Sequence, residues 1–171
     1  MNITPAAPAS PAKTSDFVRA LLWGGIGVGI LDGAAACIQV WLGNGTPPER
    51  LFQGVASALL GRAALEGGIA TAGLGVLMHF TVAFTATALA CLVYRRTPAL
   101  HQAPVILLGA LFGAAAFCAM NFAVLPLLSV VRGIYLHTPP RWPGSMGWAQ
   151  FAIHLVCVGQ PIAAAARRFL R

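Results

Sequence analysis

The sequence predicts an all-α fold: a polytopic integral membrane four-helix bundle, with a short interfacial or re-entrant helix between the first and second spans. Three observations lead there. Hydrophobic residues make up 58% and charged residues 9% of the 171-residue chain, against roughly a quarter charged in ordinary soluble domains. The stretch from Gly67 to Tyr94 holds no lysine, arginine, aspartate or glutamate. As a helix it reaches about 40 Å, enough to cross a hydrocarbon core of about 30 Å with some tilt. Three more apolar runs of spanning character flank it. The net charge of +7 does not indicate nucleic acid, because the basic residues sit in short groups beside apolar runs and are not interleaved with aromatics.

Residues 1–16, rich in alanine, proline and serine, lack apolar periodicity and are expected to form a flexible tail. A cleavable signal peptide is the competing reading, but the apolar run that follows is longer than a signal core. Residues 17–171 then form a single transmembrane domain. The first span, about 20–42, carries Gly25, Gly29 and Gly33 at four-residue spacing, which lets helix backbones approach closely. It also carries Asp32 near its centre, where an ionised carboxylate costs roughly 2.5–3.5 kcal/mol on insertion scales.

Between the first two spans, Pro47 and Pro48 open an amphipathic helix over about 48–61, with too few apolar residues to cross. Arg62 and Glu66 lie four apart, a spacing that allows pairing on an α-helix surface, although two separately solvated headgroup contacts are the expected arrangement. The second span, about 67–93, has His79 near its middle. An imidazole at that depth needs partners, which predicts a central place for this span.

Pro104 opens the third span, about 104–131, in which Gly109 and Gly113 repeat the small-residue spacing. Pro126 follows Asn121 by five residues, predicting free carbonyls and a break near residue 122. Trp142 and Trp148 lie in and after the next loop, as interfacial anchors do. The fourth span, about 148–166, is the shortest and carries His154 and Gln160 before the basic ending RRFLR. Seven lysines and arginines fall on the side of the tail, the 95–103 loop and the C-terminus, against four in the other connections. That imbalance predicts cytoplasmic termini.

Several segments in order, LDG at 31–33, PPERLFQGVASALLG at 47–61, LGVLMHF at 74–80, MNFAVLPL at 120–127 and HLVCVGQPIA at 154–163, resemble a family of small, uncharacterised bacterial inner-membrane proteins with four spans. The resemblance implies a fold and a bacterial inner (plasma) membrane location. It implies no activity, catalytic residue or ligand.

Counted from the predicted ends near Ala20, Val93 and Ala166, Asp32, His79 and His154 lie about 18, 21 and 18 Å deep, and Asn121 about 25 Å from Pro104. Each span thus offers one polar group at a similar level, and a buried polar cluster of Asp32, His79, Asn121 and His154 is expected to be structural, through interhelical hydrogen bonds. A transport or proton-relay role extended by Gln39, Gln160 and Thr71 is the alternative. Haem ligation by two histidines is another, as is a metal ion on His79, His154 and Asp32. Cys118, Met120 and Cys157 form a softer set that also suits plain packing.

No cofactor is required by any of these residues, and no catalytic residue stands out. GGIGVG lies inside a membrane run and not after a strand, so it is no dinucleotide fingerprint, and Ser57 and Ser129 lack an adjacent base. The four cysteines fall in apolar runs and imply no disulfide framework. The expected partners are the lipid bilayer and a second copy or a membrane complex, since glycine-rich faces leave packing surface unused.

Overall fold

The computed structural model describes residues 14–137 and 147–171, and every element in them is helical. Helix α1 runs over Thr14–Asn44, α2 over Pro48–Leu60, α3 over Gly68–Arg96, α4 over Val105–Ala119, α5 over Leu125–Leu136, α6 over Trp148–Ile153 and α7 over Gln160–Phe169. A π-helical turn at Met120–Val124 joins α4 to α5, and another at His154–Gly159 joins α6 to α7, so each pair makes one span. Four helical stretches are long and apolar enough to cross a membrane: α1, α3, α4–α5 and α6–α7.

The first span extends past its expected bounds at both ends, and the other three end later than expected while starting within one residue of expectation. Helix α1 starts at Thr14, within the stretch expected to be tail, and α3 continues through Arg95 and Arg96. Arginines in the last turn complement the negative end of the helix dipole, which favours this extension into the headgroup region. The rest of the tail, Trp142 and Arg141 lie outside the described residues. Trp148 opens α6 with its side chain exposed.

Helix α2 matches its expected bounds. Proline at the first helical position supplies a preset φ at the start, and Gly61 at φ +64° ends it, a conformation that costs glycine nothing. A 3-10 turn over Gly61–Glu66 follows. Three residues per turn do not stack positions four apart, so Arg62 and Glu66 form no ion pair. Instead Arg50 donates to the Leu65 carbonyl, buried Gln53 donates to the Gly68 carbonyl, and Arg132 of α5 donates to the Ser57 carbonyl. The backbone at Phe52 presses on Gly75 of α3, about 10 Å along that helix. Thus α2 leans against the first turns of α3 and clamps the ends of two spans.

The spatial order differs from the expected one. Helix α1 packs on α3 on one side and on α7 and its preceding π turn on the other, and that fourth span in turn packs on α4. The first and fourth spans therefore occupy the middle, and the second is flanked chiefly by α1 and α2. The reason lies in side-chain size: glycines of α1 accept bulky side chains of α3, while the alanine-rich face of α7 allows close approach on two sides.

The start of α1, the end of α3, the 97–104 connection and the end of α7 share one end of the bundle. Arg95 lies over the Phe17 ring, Arg167 donates to the Ala103 carbonyl, and Arg171 donates to the His101 carbonyl. At this end Ala20, Cys91, Tyr94, Leu108, Ile162, Ala166 and Leu170 belong to one buried cluster.

Candidate functional site

The polar residues at membrane depth are positioned by glycines. On α1, a Cβ at Gly25 would collide with the Phe84 ring, one at Gly29 with the Phe80 ring, and one at Gly33 would stand 3.2 Å from His79 Nε2. The glycine ladder of the first span thus receives aromatic rings rather than a neighbouring backbone. True backbone contact occurs elsewhere, where a Cβ on Gly159 would strike the Gly109 carbonyl and one on Gly113 would strike the His154 carbonyl.

His79 uses the space at Gly33 to reach α1, with Nε2 3.0 Å from the Gly29 carbonyl. That carbonyl is also the α-helical acceptor for residue 33, and the missing side chain there uncovers its second lone pair. Since a carbonyl only accepts, the proton in this contact is assigned to Nε2. The ring edges onto Phe52 and Phe80, with centroids 6.0 and 5.8 Å away.

His154 is buried and turns back along its own helix, with Nδ1 2.9 Å from the Gln150 carbonyl. The Gln150 amide nitrogen lies 3.3 Å from the same atom. Both are donors once Nδ1 carries the proton, so the shorter carbonyl contact is the hydrogen bond. The Phe117 ring meets His154 edge-on at 5.4 Å. Asn121 likewise bonds locally, its amide donating to the Phe117 carbonyl at 2.9 Å.

Asp32 differs from these three. It is half-buried, but its Oδ1 is fully enclosed and has no hydrogen-bond partner. It lies one position before Gly33, hence about 100° around α1 from the face that takes His79, and within electrostatic range of Cys157 on the fourth span. The structure brings none of Asp32, His79, Asn121 and His154 into hydrogen-bond contact with another. Helix rise placed them at similar depths, but helix rotation sends their side chains to different interfaces. Among the described residues no three histidine, cysteine, aspartate or glutamate side chains converge as a metal-ligand set, so His79, His154 and Asp32 do not form one.

Of the residues expected to extend a pathway, Thr71 at the start of α3 donates its one hydroxyl proton to the nearer Ala64 carbonyl, at 2.6 Å, with the Gly68 carbonyl 3.1 Å away. Gln160 instead makes a second interhelical bond, its amide donating to the Ile106 carbonyl of α4 at 3.1 Å. Its carboxamide fills the space over Gly109, repeating the device at Gly33. The break expected near residue 122 takes the form of the π turn, in which Leu125 N–H bonds the Met120 carbonyl five residues back. Widening the turn relieves the clash between Pro126 and the carbonyl four residues earlier. Pro161 follows the second π turn in the same way. The proline directly after Gln160 is the sequence signal for it. No protein-family model matches this chain, and neither a curated protein nor a solved structure matches it.

Proposed function

We propose that the chain is a bacterial inner-membrane protein with both termini in the cytoplasm, akin to the small four-span proteins it resembles, whose intramembrane polar groups hold its helices in register. The observation that carries this reading is that His79 and Gln160 each bond across to a backbone carbonyl of a neighbouring span, while Asn121 and His154 spend their bonds within their own helices. Groups committed in that way fix helix geometry and are not arranged as a relay. The arginine and lysine count of seven against four supports the orientation.

A second reading, proton exchange at Asp32, is favoured by one observation only: its enclosed Oδ1 has no partner. Reconstitution into liposomes with an internal pH dye separates the two. The structural reading expects proton leak equal to that of empty vesicles under an imposed gradient. Flux that disappears in a folded Asp32→Asn variant would establish the second reading and end the first.

A further inference from the structure

Where α7 passes the start of α4, a shallow groove, open over most of its surface, is lined by Pro104, Val105, Ala164, Arg167 and Arg168. We propose that this groove is a binding site for the headgroup of an anionic phospholipid. Its charge is of one sign, for two arginines line it and no carboxylate does.

Arg167 is half-buried and held by its bond to the Ala103 carbonyl, which occupies one of its five N–H donors and aims the guanidinium along the groove wall. Arg168 is exposed and lies over the ring of Phe169, at 5.7 Å, a cation–π contact that engages no N–H donor. A phosphodiester between them receives charge-assisted hydrogen bonds from a rigid donor and a mobile one. The first turn of α4 has no side-chain cap, and its open N–H groups add to the same positive field.

The groove also fits the rest of the amphiphile. Its floor is apolar, formed by Pro104, Val105 and exposed Ala164, and the span continues toward the membrane centre with Ile106 and Leu107 projecting outward. A phosphate held at the arginines therefore leaves its acyl chains against an aliphatic helix face. A soluble phosphate would use only the upper part of the site, which is why the occupant is assigned as a lipid.

Native mass spectrometry of the full chain, released from nanodiscs of equal phosphatidylglycerol and phosphatidylcholine with matched acyl chains, tests the assignment. Wild type is expected to retain phosphatidylglycerol preferentially. Each arginine near an anionic surface contributes about fivefold, so Arg168→Gln, whose side chain supports no other element, is expected to lower that preference about fivefold, and Arg167→Gln/Arg168→Gln to bring it close to parity. Arg62→Gln at the opposite end keeps it. Equal retention of the two lipids by wild type overturns the proposal. So does a preference unchanged by Arg168→Gln and the double variant, or displacement of the lipid by millimolar inorganic phosphate.

Discussion

At the scale of single residues, the polar side chains in the bundle show one recurrent device: a glycine uncovers a backbone carbonyl and a neighbouring helix supplies a donor to it. His79 reaches Gly29 beside Gly33, and Gln160 reaches Ile106 beside Gly109. Such bonds within membranes average about 0.6 kcal/mol and reach about 1.7. His79→Leu, which keeps most of the bulk while removing the donor, is expected to lower stability by about that amount in denaturant titrations in mixed micelles. A loss above about 3 kcal/mol would mean that the imidazole does more than bridge α3 to α1. Tyr94 shows the contrary case. Its hydroxyl is enclosed with no partner, while its carbonyl accepts from His101, and the ring is retained by packing at the centre of the basic end.

At the scale of elements, the third and fourth spans make the tightest contact, and it is one of backbone on backbone. A Cβ at Gly159 meets the Gly109 carbonyl, which cannot rotate away as a side chain can. Gly159→Ala is therefore expected to cost about 3 kcal/mol, the upper end of ordinary overpacking. Gly73 provides the contrast, because nothing lies within 4 Å of its Cβ position in the second turn of α3. There the same substitution is expected to stabilise, by up to about 1 kcal/mol, through helix propensity alone. Equal effects at the two sites, measured by the same unfolding assay, would refute the packing account. The two π turns belong to this scale as well: each precedes a proline and lets a span stay helical where an α-helical ladder would clash.

For the whole molecule, small residues share the interior with a few large ones, and many large aliphatics face outward. Alanine is prominent in the buried cluster, with Ala20, Ala83, Ala163 and Ala166, whereas Leu42, Ile69, Ile106 and Ile134 face outward, all more than 70% exposed. Lipid solvates large aliphatics as well as a core does, so close packing of small residues provides the cohesion. Both described termini lie at the end where Arg95, Arg96, Arg167, Arg168 and Arg171 gather. Alkaline phosphatase fusions after Gln102 and at the C-terminus are expected to be inactive, and fluorescent-protein fusions at those points bright. Active phosphatase at both would reverse the orientation, and opposite results at the two would contradict the four-span count.

Fold class, span number and the short helix before α3 were legible in the sequence because each follows from a local property. An uncharged run from Gly67 to Tyr94 admits no solvated alternative, and Pro48 with Gly61 brackets α2 by backbone preference alone. The break before Pro126 was legible for the same reason, although its form as a π turn was not. Helix rise also gave Asp32, His79, Asn121 and His154 their depths. It could not give their partners, since neighbours on a helix point about 100° apart and depth says nothing of rotation. Only the packed bundle decided that Gly33 faces His79 while the Asp32 Oδ1 is enclosed without a partner, that Arg167 and Arg168 share a groove with the start of α4, and that the first and fourth spans take the middle. Those choices depend on which faces interlock, a property of pairs of helices distant in sequence that no single run of residues contains.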